Sequence, residues 1–151
     1  MDLLSTFDGL VQRFQAHHTF AERARALADR YSAVVVDRVV RDHADRTTET
    51  LSELIPLLIE VETAIADIEA QVDAIKAQGG DDRAALEELQ LRALIGEMDD
   101  DALDAATTDL RGRLSGADTE ITRLEAEADT FRARLTSWQQ IASQAGVLAE
   151  A

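Results

Sequence analysis

Apolar residues recur along this chain at alternating steps of three and four. One ladder runs Leu51, Leu54, Leu58, Val61, Ile65, Ile68, Val72 and Ile75. A second runs Leu110, Leu114, Ala117, Ile121, Leu124, Ala128, Phe131, Leu135, Trp138, Ala142 and Ala145. This spacing is the heptad signature of helices that wind around one another. A shorter set, Leu3, Leu4, Phe7, Leu10, Val11 and Phe14, predicts an amphipathic helix over residues 2–17 that ends near His17-His18. Thr19-Phe20-Ala21-Glu22 fits a capping box, so a second helix is expected to start there and bury Phe20, Ala24, Leu27, Tyr31 and Val34. Around Val34-Val35-Val36 and Val39-Val40 the apolar stripe widens and changes phase, as in a stutter or a helix break. A helix packed on two sides accounts for this better than a strand, because no partner strand is visible. Thr50-Leu51-Ser52-Glu53 is a further capping box, and Pro56 predicts a kink rather than a stop, since the ladder continues through it.

Where the chain turns back is decided by phase. Gly79-Gly80-Asp81-Asp82 looks like a turn, but the ladder extended from Ile75 passes through Gly79 and Asp82 and meets Leu86, Leu89 and Ala93 in its original phase. A reversal has no reason to preserve phase. Gly96 suits the left-handed position after a helix end, and Asp99 suits the N-cap of the next helix, with Asp100 and Asp101 favoured in its first turn. The expected fold is therefore all-α: a long antiparallel coiled-coil hairpin with an N-terminal helical pair. Its parts are N-terminal amphipathic helices at 1–46, a hairpin at 47–147 with its tip near 96–101, and a tail at 148–151. Each arm would span roughly 70 Å at ~1.5 Å per residue. Folding about residue 97 sets Leu110 near Ala84 and Ile121 near Asp73.

Composition narrows the picture. The chain has 151 residues, 46% apolar but only 4% aromatic, which suits long helices over a thick core. It has no Cys, so disulfides and thiolate metal sites are excluded. Met1-Asp2-Leu3-Leu4 lacks the features of a signal peptide, and no apolar run is long enough to span a bilayer, so a cytoplasmic protein is expected. Acidic residues number 30 against 15 basic, for a net charge of −15, and Lys76 is the sole lysine. A GC-rich genome explains the arginine bias; adaptation to high salt explains both the arginine and the acidity. In either case duplex nucleic acid, which needs a basic face, is not an expected partner.

Residues 86–114 resemble the short helical hairpin family called SHOCT. The resemblance rests on Leu86-Glu87-Glu88-Leu89, on Leu94 to Leu103 with Gly96 and the acidic helix start, and on Leu110 and Leu114. Leu103 stands where that family prefers an aromatic, and Thr108 or Asp109 where it prefers a basic residue. The resemblance implies a helix–turn–helix and oligomer formation, and no activity.

Four features are candidate sites. The acids Glu97, Asp99, Asp101 and Asp104 cluster at the expected tip. Asp101-Ala102-Leu103-Asp104-Ala105-Ala106 is similar to the tip pattern of DksA-type factors, which insert a coiled-coil hairpin into RNA polymerase. Those factors carry a further globular or zinc-bearing domain that is not evident in this chain. Ordinary capping chemistry accounts for the same acids. His17, His18 and His43 are expected as solvated surface residues, since His43 and its neighbours Asp42 and Asp45 share no helix face and suit no metal. Arg23, Arg25, Arg38, Arg41 and Arg46 are expected to bridge nearby acids along their helices. Finally, Leu57, Ile59, Leu91, Leu94 and Ile95 lie beside the ladder and, with Leu124, Phe131 and Trp138, form a candidate self-association surface. No catalytic set, phosphate loop or cofactor motif stands out. The expected protein is a non-enzymatic, self-associating scaffold or adaptor with an unidentified protein partner. The alternative is a regulator that inserts an acidic tip into a partner enzyme such as RNA polymerase. A DNA-mimicking inhibitor is disfavoured, because acids spread over the whole chain are not a spaced phosphate-like array.

Overall fold

A computed structural model describes residues 2–147 and shows three α-helices and no strand among them. The helices are α1 (Leu3–Ala26), α2 (Ala33–Leu94) and α3 (Asp100–Gln144). The fold is all-α. By contact density the chain divides into two units, Met1–Ala64 with Phe131–Ala151, and Ile65–Thr130.

In the first unit, α1 starts where Asp2 caps it, its carboxylate accepting from Ser5 N–H at 2.7 Å. The helix does not end at His17-His18. It continues to Ala26, and the turn falls at residues 27–32. The reason is visible in burial: Leu3, Phe7, Leu10, Phe14, His17, Ala21 and Ala24 are buried or half-buried at steps of four and three. His17 occupies a seam position in an unbroken stripe, and Thr19 is an exposed mid-helix residue rather than an N-cap. The expected core at Phe20, Leu27, Tyr31 and Val34 is likewise exposed. Helix α2 is capped instead by Ser32, whose hydroxyl accepts from Val35 N–H at 3.4 Å.

Helix α2 runs through residues 46–50 and through Pro56 without interruption. The boundary expected at residue 46 therefore has no local break, and Thr50 is not a cap. Thr50 is buried and donates its hydroxyl to Arg46 carbonyl oxygen at 2.9 Å, the usual way a threonine settles inside a helix. Upstream of Leu54 the seam is carried by Thr50, Thr47, His43, Val40 and Val36, so the phase shift is filled by polar residues rather than by a gap. Both neighbouring helices run antiparallel to this stretch of α2, and so parallel to each other. Arg13 of α1 pairs with Glu53 of α2 at 2.9 Å, while Asp8 of α1 pairs with Arg134 of α3 at 3.0 Å. Phe14 meets Trp138 edge to face with centroids 5.0 Å apart. These contacts define a three-helix core centred on Phe7, Phe14, Leu54, Val61 and Trp138.

In the second unit, α2 and α3 form a two-helix antiparallel pair. Gly79 and Gly80 lie within α2, and Gly96, at φ 92°, ends it. Gly96 N–H donates to Ala93 carbonyl oxygen at 3.1 Å and Glu97 N–H to Arg92 carbonyl oxygen at 2.9 Å, which is a Schellman motif. Asp99 then caps α3, accepting from Ala102 N–H at 2.8 Å. Near the turn the register follows the reflection expected about residue 97: Asp82 pairs with Arg113 at 3.0 Å and Gly79 lies against Leu114. Farther along, Lys76 reaches Glu125 at 3.8 Å, beyond its mirror position. Along α3 the seam runs without a missed step from Leu103 and Thr107 in this unit, and on through Trp138, Ala142 and Ala145 in the first.

Candidate functional site

The structure sorts the candidate residues into four places. At the hairpin turn, Glu97, Asp99, Asp101 and Asp104 are all exposed. Two of them have structural work. Asp99 caps α3, and Glu97 accepts from Arg92 at 2.8 Å, with Glu88 on the other side of that guanidinium at 3.7 Å. Those two carboxylates hold the Arg92 guanidinium pKa above its ordinary value, the hydrogen bond to Glu97 contributing most. Asp101 and Asp104 have no side-chain partner among the described residues. Beside them Leu91, Leu94 and Ile95 are exposed, Leu94 at 85%.

The candidate self-association residues separate. Ile59 is exposed and Leu57 half-buried. Leu124 and Trp138 are not surface residues at all, at 3% and 1% exposure, and Phe131 is half-buried beside them in the seam. Intrachain contacts already use these side chains, so they offer nothing to a second molecule. Trp138 carries one unpaid requirement: its indole N–H is buried with no acceptor in reach among the described residues.

His17 and His43 do not lie free on the surface. Their Nδ1 atoms are 3.0 Å apart, their ring centroids are 5.2 Å apart, and the Phe20 ring lies tilted at 5.2 Å from His43. A hydrogen bond between two Nδ1 atoms needs one protonated and one bare nitrogen, so it is lost when both rings carry a full proton complement. Burial chiefly, then the nearby His43, Arg46 and Arg13, pushes the His17 pKa below its ordinary value, and Asp42 opposes them. Among the described residues no group of three or more His, Cys, Asp or Glu side chains is placed to hold a metal ion. Apolar spacing alone hid this pair. Continuing the four-three count through polar residues would have found it, since both histidines sit on seam positions.

A second polar pair, with Asp82 buried and Arg113 exposed, lies in the second unit. Asp82, 6% exposed, accepts from Arg113 through both carboxylate oxygens, at 3.0 and 3.4 Å, and from Gln78 at 3.4 Å. The Arg113 hydrogen bond is the main cause of a lowered Asp82 pKa.

The last place is the end of the first unit where α1 turns into α2. Phe20, Leu27, Tyr31, Val34, Val35 and Val39 are exposed there, between 39% and 67%. The described part of α3 gives a reason. Its last helical turns, around Ile141, Gln144 and Ala145, line a small cavity of about 180 Å³ with Phe14, Gln15, His18 and Thr19 of α1. Among the described residues α3 ends at Gln144, close to this level of α1. The arginines in this stretch bridge less than the sequence suggests. Arg25 pairs with Glu22 and Arg46 with Asp42, but Arg23, Arg38 and Arg41 make no ion pair among the described residues.

Among the described residues no helix is long and apolar enough to cross a membrane. No family model matches this chain, and no curated protein or solved structure does.

Proposed function

We propose that this protein is a self-associating helical scaffold or adaptor that binds partners through helix faces and performs no catalysis of its own. One observation carries the reading. Apart from Ile59, the large apolar side chains left exposed fall in two stretches of the chain, residues 20–39 and residues 91–95. Clustered exposed apolar surface on a water-soluble helical protein marks sites of macromolecular contact. Two polar pairs, half-buried His17 with His43 and buried Asp82 with exposed Arg113, fit the same reading as register-setting contacts along the helix seams. Sedimentation equilibrium of the full chain over a wide concentration range tests it. The expected result is reversible association; a monomer at every concentration refutes it.

A second reading is favoured by the hairpin turn. There, Asp101 and Asp104 are uncommitted and stand beside exposed Leu94 and Ile95. A regulator that inserts this acidic tip into a partner enzyme such as RNA polymerase would use those side chains. Asp101→Asn with Asp104→Asn leaves the helix caps intact, so loss of biological activity without loss of helicity would select the regulator over the scaffold.

A further inference from the structure

We infer that the outer face of α2 at the hairpin turn docks a basic amphipathic helix of a partner protein, with Leu91, Leu94 and Ile95 as the apolar anchors. This rests on the reading of exposed helix faces as partner sites, and names the partner's chemistry for one of them. The three side chains share one face. At about 100° per residue they fall within a single arc of about 100°, on the side of α2 away from the seam residues Leu86, Leu89 and Ala93. Ile95 belongs to that arc because its N–H still donates to Leu91 carbonyl oxygen at 3.0 Å, so helical spacing holds through it. Leu91 is 58% exposed, Leu94 85% and Ile95 65%. Both helices at the turn are fully described from residue 65 to residue 130, and neither covers this face.

Charge selects the occupant. Residues 87–104 carry seven acids against Arg92 alone, a net −6 out of the chain's −15 within 18 of its 151 residues. Arg92 is already held by Glu88 and Glu97, so it does not offset the other carboxylates. Glu87 and Glu88 precede Leu91 by four and three residues, which sets them on the same outer face one turn away. Past the turn, Asp100, Asp101 and Asp104 are exposed and make no ion pair among the described residues. An apolar face with acids before and after it is matched by an apolar face flanked by Lys or Arg, because that partner gains burial and charge pairing in one contact. A second copy of the same face would set −6 against −6, and like charges brought together oppose contact. The acids alone would attract any cation. The anchors at i, i+3 and i+4 require a partner with apolar side chains at helical spacing as well.

The test titrates the full chain into a short labelled peptide of leucine and lysine, with leucines at i, i+3, i+4 and i+7, and reads fluorescence anisotropy. Far-UV circular dichroism controls for the fold of each variant. The expected result is saturable binding that weakens at least about tenfold with Leu94→Gln plus Ile95→Gln. Asp101→Asn plus Asp104→Asn should weaken it about threefold and make it less sensitive to salt. Glu60→Gln plus Glu62→Gln removes two exposed acids far along α2 and should leave the affinity unchanged. A peptide of the same composition with no leucine face should bind at least about tenfold more weakly than the ordered one. Equal binding by wild type and the Leu94–Ile95 variant would overturn the inference. So would an equal loss in the Glu60–Glu62 variant, or equal affinity for a leucine–glutamate peptide of the same pattern. Sedimentation equilibrium of the Leu94–Ile95 variant keeps this inference distinct from self-association. A mass matching wild type supports a different protein on this face. A lower mass would assign the face to a second copy and overturn the inference, while self-association stands.

Discussion

Replacing Gly80 and Gly96 by alanine, one at a time, should move stability in opposite directions. The reason lies in the backbone each residue adopts. Gly80 sits inside α2, with no atom within 4 Å of where a Cβ would stand. Alanine there restricts the unfolded chain and keeps the helix geometry, which is worth about 1 kcal/mol of stability. Gly79 should respond similarly, since its added Cβ would lie 4.0 Å from Leu114 Cδ2 and 3.8 Å from Arg83 Nη1, ordinary contact distances. Gly96 is different. It holds φ 92° and donates to Ala93 carbonyl oxygen within the Schellman motif. Alanine in that left-handed region costs about 1–2 kcal/mol, because its Cβ crowds the following carbonyl. The two variants should therefore differ by about 2–3 kcal/mol, from the same two principles. Thermal unfolding followed by circular dichroism resolves that difference, since ~1 kcal/mol shifts the midpoint of a chain this long by about 2–4 °C. A lower midpoint for Gly80→Ala together with an unchanged one for Gly96→Ala would place the reversal at residues 79–80 and refute the register.

Three further outcomes follow from the buried polar groups. Trp138→Phe should cost under about 1 kcal/mol in urea unfolding, because the lost indole volume is offset by removing an unpaired buried N–H, whereas Trp138→Ala should cost about 3–5 kcal/mol; equal losses would mean the indole N–H is satisfied. Arg113→Ala should lower the urea midpoint more than Arg123→Ala. The first leaves the buried Asp82 carboxylate without its main partner across the seam, and the second breaks only pairs along α3 with Glu120 and Glu127. The His17 pKa is lower in the folded chain than the ordinary 6.5 expected when unfolded, so the unfolded state takes up the proton first as pH falls. Its contribution to stability is complete above that value and is lost as pH drops through the folded pKa. Urea midpoints measured across that window should decline, and His17→Asn should flatten the decline; a variant with the same slope would assign it to other groups.

Much of the seam was legible in advance because burial in a helix repeats with the chain's own period. Leu54, Val61, Ile68, Val72, Leu110, Leu124, Ala128 and Ala142 are buried where the ladders placed them. Phase also identified Gly96 as the turn, since a helix that keeps its register across Gly79-Gly80 has not been interrupted. The misplaced elements share one cause. Taking a polar residue as an exit from the core ends α1 at His17-His18 and places helix caps at Thr19 and Thr50. In the folded chain His17 faces His43, and Thr50 returns its hydroxyl to Arg46 carbonyl oxygen. Polar groups with partners of their own can occupy a seam without breaking it.

The sequence by itself determined helix class, phase and the position of the hairpin turn, because each depends on local periodicity and on the single glycine whose φ is positive between α2 and α3. Tertiary structure alone decided which apolar residues are spare. Phe20, Tyr31 and Val34 have the same hydropathy and spacing as core residues, yet they are exposed. Leu124 and Trp138, placed on the ladder and also on the candidate self-association surface, are buried among their own chain's helices. The difference is whether a neighbouring helix reaches that level of the bundle, and helical spacing within one segment carries no record of where another segment ends.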